Sequence, residues 1–81
     1  MIVCLLEDVL RKKNMSRREL ARRMGCSKDT VCHYCNNSLD AVSLALLEAF
    51  CDELHCSLSD VLTEMTDAEY AAWQASRRQH V

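Results

Sequence analysis

The sequence predicts a single all-α domain built from five or six short helices. The chain has 81 residues, which suits one domain, and 49% of them are apolar, enough for a hydrophobic core. It contains no proline and a single glycine, so it lacks the turn residues that a β-sandwich or barrel requires. Apolar residues instead recur three and four positions apart, which is the spacing of one face of an α-helix.

The first two helices are indicated by an apolar stripe and by capping residues. A first helix is predicted over about residues 2–13, and a second begins at the capping box "SRRE". In that box the Ser16 hydroxyl accepts from the amide of Glu19, and the Glu19 carboxylate reaches back to the amide of Ser16. Gly25 follows where a left-handed helix cap belongs. The stripe of the first helix is Leu5, Leu6, Val9 and Leu10.

The later helices are predicted from serine and threonine caps. Ser27 caps a third helix, the stretch "NNSLD" is a loop, and Ser43 caps a fourth helix. "SLSD" begins a fifth helix that is expected to run to Met65, and the capping box "TDAE" begins a last helix at Thr66. The apolar positions of the fourth and fifth helices are Leu44, Leu47, Cys51, Leu54, Leu58, Val61, Leu62 and Met65.

The segment "SRRELARRMGCSKDTVCHYCNNS", residues 16–38, has the form of a helix-turn-helix. A short capped helix ends at a glycine, turns within about three residues and is followed by a second short helix with a serine cap. This segment resembles the phage-repressor and Cro-like family, also called the XRE family. Residues 43–62 resemble the family's fourth and fifth helices, so the resemblance covers roughly residues 2–65. Its matching residues are Leu20-Ala21, Met24-Gly25-Cys26-Ser27, Thr30-Val31, Tyr34 and Asn36.

Two positions depart from the family pattern. The family usually has glycine where this chain has Asn37 and His55. Asparagine and histidine adopt the left-handed backbone conformation more readily than most residues. The departures therefore leave the expected fold intact and affect the detail of the loop contacts.

The resemblance implies a compact five-helix, lambda-repressor-like DNA-binding domain over residues 1–65, with residues 66–81 as an additional C-terminal helix. Such domains bind double-stranded DNA, usually as homodimers, and place their third helix, here about residues 27–37, in the major groove. The resemblance also implies which residues bind DNA. Those that would face the bases are Lys28, Asp29 and His33, with Cys32 beside them. The DNA backbone would be faced by Arg17, Asn36, Asn37 and Ser38, and the set is completed by Ser27 and Thr30 at the start of the helix.

The cysteines are predicted to be thiols without a metal. Cys32 and Cys35 form a Cys-x-x-Cys pair, but at about 100° per residue Cys32 falls on the outer arc of the third helix and Cys35 on the inner arc. A zinc site needs two further ligands, and the other four cysteines occupy apolar positions that suit small buried hydrophobic residues. No metal and no cofactor are expected.

The charge distribution and the N-terminal sequence limit which partners and which location are expected. Residues 1–38 hold eight basic and four acidic residues (+4), whereas residues 39–81 hold two basic and eight acidic residues (−6), which together give the net charge of −2. The first part suits local anion binding, and the acidic part offers a surface for a protein partner. The apolar start "MIVCLL" is too short for a signal peptide or a membrane span, so a cytoplasmic location without membrane contact is expected.

Several alternatives stay open at this point. A sequence-specific transcriptional regulator is favoured over a protein-interaction module, such as the antitoxin or antirepressor member of a two-protein system, and over a redox or metal sensor that uses Cys32. An enzyme is least favoured, because no paired nucleophile and base and no glycine-rich phosphate loop are visible. Tyr70 and Trp73 either pack on their own domain, which is favoured, or form a dimer seam. One or two of Arg18, Arg22 and Arg23 can meet phosphate.

Overall fold

The computed structural model describes the backbone of residues 1–78 and the side chains of residues 1–76. In this part of the chain the helices are α1 (Leu6–Lys12), α2 (Arg17–Met24), α3 (Lys28–Cys35), α4 (Leu44–Leu54), α5 (Leu58–Val61) and α6 (Asp67–Arg78). A small two-stranded sheet joins β1 (Ile2–Cys4) to β2 (Leu62–Glu64). The helical class and the helix order predicted from the sequence are confirmed. None of the helices in the described part is long and apolar enough to cross a membrane.

Most of the predicted caps form as expected. The hydroxyls of Ser16, Ser27 and Ser43 each accept from the amide three residues later, at 3.0, 3.2 and 3.2 Å. Thr66 and Glu69 make both bonds of their capping box, at 2.8 and 3.1 Å. Each cap satisfies a backbone donor at a helix start that would otherwise lack a partner.

Only one of the two hydrogen bonds of the capping box at "SRRE" is formed, which corrects the sequence prediction. Ser16 accepts from the amide of Glu19, but the Glu19 carboxylate accepts from the guanidinium groups of Arg22 and Arg23 instead of the amide of Ser16. Two cations one turn further along the helix offer the carboxylate stronger, charge-assisted hydrogen bonds than a backbone amide does.

The two ends of the predicted five-helix unit are extended, which corrects two helix boundaries. The first helix starts at Leu6 instead of residue 2, and the fifth ends at Val61 instead of Met65. The residues before the first helix and after the fifth helix form β1 and β2, which pair antiparallel with Val3 opposite Thr63. Ile2 and Val3 are β-branched residues that favour strands, and this pairing buries the side chain of Val3.

The core fixes α3 against α4. Phe50 of α4 is completely buried and meets the buried ring of Tyr34 from α3 edge to face, with 5.0 Å between ring centroids. The Tyr34 hydroxyl accepts from the amide of Ser43 at 2.9 Å, so the same residue also secures the start of α4. Other completely or almost completely buried residues are Leu6, Leu10, Leu20, Val31, Cys35, Leu54 and Val61.

The left-handed positions agree with the sequence. Gly25 has φ 69°, Asn37 has φ 56° and His55, which ends α4, has φ 54°. The two residues that stand where the family usually has glycine thus adopt the conformation expected of them.

Helix α6 lies outside this core. The indole nitrogen of Trp73 donates to the Asp8 carboxylate of α1 at 3.0 Å, and the rings of Tyr70 and Trp73 lie 5.7 Å apart. Both aromatic side chains are half-buried. Trp73 thus contacts its own domain through α1, whereas the ring contact of Tyr70 lies within α6.

Candidate DNA-binding interface

The third helix separates an exposed face from a buried face. Lys28 and Asp29 are exposed in its first turn, and His33 is exposed one turn further on. Cys32 is half-buried on the same side. The opposite side is buried in the core through Val31, Tyr34 and Cys35. The structure therefore groups the sequence-predicted base-facing residues on one accessible surface.

Ser27 and Thr30 hold the start of this helix. The Ser27 hydroxyl accepts from the amide of Thr30 at 3.2 Å and lies 2.9 Å from the Thr30 hydroxyl. These bonds set the direction in which the first turn leaves the loop. The side chains of Lys28 and Asp29 are displayed from that turn.

The other end of α3 is organised by a contact between His33 and Ser38. The Nδ1 atom of His33 lies 3.1 Å from the Ser38 hydroxyl, which also approaches the His33 carbonyl at 3.3 Å. This contact orients the imidazole and leaves its Nε2 edge for another partner. Asn36, the C-cap residue, is exposed beside it.

The side chain of Asn37, which is predicted to face the DNA backbone, is bonded within the protein. Its side-chain oxygen accepts from the amide of Cys4 at 2.6 Å, and its side-chain nitrogen donates to the carbonyl of Cys4 at 3.1 Å. The asparagine amide thus pairs with strand β1 as another strand would, because a side-chain amide offers the same donor and acceptor as a peptide group. Asn37 ties the loop after α3 to the sheet.

Arg17 is held beside the exposed face by an ion pair. Its Nε atom donates to the Glu7 carboxylate at 2.7 Å, and the two side chains are 28% and 16% exposed. Burial acts to raise the pKa of Glu7, but hydrogen bonds from Arg17 and the Cys35 thiol, with the charges of Arg17 and Arg11, lower the pKa overall. This pair links α1 to the start of α2, directly beside α3.

We expect the replacement Glu7→Gln to lower the free energy of unfolding by about 0.5–1 kcal/mol at pH 7, since the pair is only partly shielded from water. The pKa of Glu7 is lowered in the folded state, so its stabilisation is present above the ordinary glutamate pKa and is lost as the pH falls through the folded pKa. Urea unfolding at pH 7 and pH 3 should show the gap between wild type and variant shrinking in acid. The exposed Glu48→Gln is the control, and an equal gap at both pH values would contradict the contribution of this ion pair.

The remaining arginines of α2 differ in how far their charge is compensated. Glu19 accepts from Arg22 at 3.0 Å and from Arg23 at 2.9 Å, and these hydrogen bonds lower the pKa of Glu19 to about 2. Arg23 also lies 3.8 Å from Glu53. Among the described side chains, Arg18 and Lys28 have no acidic partner at ion-pairing distance. Sequence reasoning did not separate Arg18 from its neighbours, because the pairing depends on which way each side chain turns.

The structure places the cysteines as small packing residues. Cys4 and Cys35 are buried, and Cys26, Cys32, Cys51 and Cys56 are half-buried. Cys35, predicted to lie on the inner arc of α3, is completely buried in the core, deeper than the edge position expected from its angle on the helix, and burial raises the pKa of its thiol to about 12. Since the thiolate is the form that binds metals, this environment disfavours metal binding by Cys35.

The fold and this surface define a class of protein. Two capped helices joined by a glycine turn, the second with one buried and one exposed side, make up the DNA-binding unit of helix-turn-helix regulators. The chain belongs to the Cro/C1-type HTH DNA-binding domain family, whose sequence model matches residues 6–67. This confirms the resemblance noted in the sequence, and the protein is a DNA-binding transcriptional regulator.

Two similar proteins agree with this assignment. The chain is 31% identical over 68 residues to the uncharacterized HTH-type transcriptional regulator YozG of Bacillus subtilis strain 168, covering 84% of this chain and 81% of YozG. Its fold is similar to a crystal structure of a protein from Bacteroides fragilis assigned as DNA-binding, with a TM-score of 0.71 and 27% sequence identity. That match covers 78% of this chain and all of the Bacteroides protein.

Proposed function

We propose that the protein is a sequence-specific regulator that reads the major groove of double-stranded DNA with α3. The observation that carries the proposal is the two-sided character of this helix. Its inner side is anchored in the core, while Lys28, Asp29 and His33 stand together on the outer side. A rigidly held helix with adjacent donors and acceptors suits the hydrogen-bond pattern of base edges.

Each exposed residue has a chemical role in this proposal. The Lys28 ammonium donates to guanine O6 or N7, and the Asp29 carboxylate accepts from a cytosine amino group. His33, oriented by Ser38, reaches a neighbouring base pair, with Cys32 beside it. A carboxylate near phosphates repels them, so Asp29 serves specificity at some cost in affinity.

A second group of residues positions the protein on the phosphate backbone. Arg17 and the exposed Asn36 and Ser38 contact the DNA strands on either side of α3, and the caps at Ser27 and Thr30 present the helix start. We add Arg18 to this group, because its charge is uncompensated among the described side chains. Asn37 acts indirectly, by tying the loop that carries Asn36 and Ser38 to β1.

We further propose that residues 1–65 form the reading unit, that residues 66–81 form an extension, and that the protein binds DNA as a homodimer. A two-fold dimer places two recognition helices in successive major grooves of a palindromic site. The proposal includes no catalytic activity and a cytoplasmic location, which are the ordinary setting of a regulator of this family.

Binding to DNA tests the readout. We expect Lys28→Ala and His33→Ala each to cost about 1–3 kcal/mol on the preferred duplex and to relax discrimination at one or two base pairs. Asp29→Ala should raise non-specific affinity and lower the specificity ratio.

Arg17→Ala should weaken binding to all sequences alike and reduce the dependence of log K on log salt by roughly one ion. A preferred duplex is first selected from random sequences, and binding is then measured on it and on scrambled duplexes at several salt concentrations.

Arg22→Ala is the matched control, since Arg22 lies in the last turn of α2, at the other end of the helix from Arg17, and is not among the residues proposed to contact DNA. It should change neither the specificity ratio nor the salt dependence by much. Equal losses for Lys28, Asp29, His33 and Arg17 variants on selected and scrambled DNA would show that α3 does not read bases. Unchanged binding in all of them would show that this face does not contact DNA.

A protein-interaction role is the second candidate function, and the acidic part of the chain favours it. Of the eight acidic residues after position 39, Glu53 is the one that pairs with a basic group among the described side chains. The uncompensated carboxylates suit a basic partner, as in an antitoxin or antirepressor. Such a partner would bind residues 39–81 and leave the exposed face of α3 unchanged.

A further inference from the structure

Helix α6 and the body of the domain enclose a cleft of about 860 Å³. Its apolar lining comes from Leu5 and Val9, at and after the start of α1, and from Trp73 of α6. Its rim is basic, since the end of α1 contributes Arg11-Lys12-Lys13. A space of this size, lined by both apolar and charged side chains, has the character of a docking surface.

The basic rim is only partly compensated within the molecule. Arg11 lies 3.7 Å from the Glu7 carboxylate, whereas Lys12 and Lys13 have no acidic partner at ion-pairing distance among the described side chains. Of the two carboxylates that line the cleft, Asp8 accepts from Trp73. Asp60 accepts from the amide of Ser57, and this bond together with the charges of Lys12 and Lys13 lowers its pKa, so Asp60 compensates the two lysines in part. Three basic side chains against two carboxylates leave the cleft with a small positive charge. The cleft therefore favours an acidic occupant.

The start of α6 is acidic and lies at the other end of the same helix. Asp67 is the first residue of α6, and Glu64, the last residue of β2, lies three positions before it. Both are exposed and have no basic partner among the described side chains. The cleft borders the second half of α6, through Trp73 and Ser76. If α6 of a second copy lay antiparallel to this α6, its acidic N-terminal end would lie beside Arg11-Lys12-Lys13 at the rim of the cleft.

We infer that a second copy of this chain occupies the cleft, with the two α6 helices antiparallel about a two-fold axis. In a two-fold interface each contact occurs twice, so Glu64 and Asp67 of each copy meet Lys12 and Lys13 of the other. This arrangement rests on the proposed homodimer and specifies where its seam lies. The cleft is lined from α1, α5, α6 and the turn before α5, so pairing there leaves the exposed face of α3 open to DNA.

Two full-length charge-reversal variants test the seam, and each is monitored by sedimentation velocity. Lys12→Glu with Lys13→Glu puts acid against acid, and Glu64→Lys with Asp67→Lys puts base against base. We expect each variant alone to dissociate with a dimer Kd at least about tenfold higher than wild type. An equimolar mixture should regain wild-type dimerisation, because both contacts of the mixed dimer are attractive. Thr66 and Glu69 stay unchanged, since they cap α6.

Trp73 gives a second readout. It is the one tryptophan of the chain and lines the cleft, so its emission should shift when wild-type dimers are diluted below their Kd. Circular dichroism and thermal unfolding of each variant show whether it still folds, and the recovery in the mixture cannot arise from an unfolded chain.

Variants that dimerise as well as wild type, or a mixture that stays monomeric, would overturn this seam. A wild-type chain that is monomeric at all concentrations would overturn it as well. Duplex binding by wild type is measured in parallel. If wild type binds the selected duplex but the seam test fails, the seam alone is wrong. If wild type binds no duplex at all, the proposed function is contradicted.

Discussion

Phe50→Ala is expected to lower the free energy of unfolding by about 3–5 kcal/mol, the largest effect among the changes considered. The ring is completely buried and meets Tyr34 edge to face, so its removal leaves a cavity and an unsupported aromatic partner. A domain of 81 residues has a total stability of only about 4–12 kcal/mol. The variant should therefore be partly unfolded at ambient temperature, as measured by urea denaturation followed by circular dichroism.

Leu44→Ala provides the matched control for this prediction. Leu44 is a large apolar residue of the same helix, but it is 79% exposed. Its truncation should change the free energy of unfolding by less than about 0.5 kcal/mol. Similar losses in both variants would contradict the role of the contact of Phe50 with α3, since alanine is the best helix former and neither change lowers the helix propensity of α4.

Asn37→Ala is expected to cost about 2–4 kcal/mol of stability, from two separate causes. The change leaves the amide and carbonyl of Cys4 without their side-chain partner, and it puts an alanine at φ 56°. Asn37→Gly removes the same hydrogen bonds but tolerates the left-handed conformation, so it should be more stable than the alanine variant by about 1 kcal/mol. Chemical denaturation of the three proteins separates the two causes.

Asn36→Ala is the neighbouring control. Asn36 is exposed and has φ −91°, so its truncation should leave stability within about 0.5 kcal/mol of wild type. DNA affinity should nevertheless fall if Asn36 contacts phosphate as proposed. An Asn37→Ala variant as stable as Asn36→Ala would contradict the structural role of the contact with Cys4.

Asn37 also explains why the chain departs from the family pattern at this position. Glycine would satisfy the backbone conformation alone, whereas asparagine satisfies it and in addition pairs with β1. The loop after α3 is thus tied to a strand that precedes α1. His55 adopts the same conformation at the end of α4, and no comparable side-chain contact accompanies it in the hydrogen bonds of the described residues.

The sequence by itself determined the helical class, the helix order, most caps and the two faces of α3. These features depend on residues within a few positions of each other. A serine caps the amide three residues later, and apolar residues at helical spacing define the buried face. The base-facing candidates followed from that periodicity and from the family resemblance, which the match over residues 6–67 confirmed as membership.

Only the tertiary structure decided the features that join distant parts of the chain. The strands pair residues about 60 positions apart, and the local apolar pattern at each end has the same spacing as a continuation of the neighbouring helix. The turning of Asn37 towards Cys4, of Arg17 towards Glu7 and of Trp73 towards Asp8 also depends on partners that lie far away in the sequence or on another helix. Local spacing states which residues share a face, but a hydrogen bond forms with whichever complementary group the fold brings within about 3 Å.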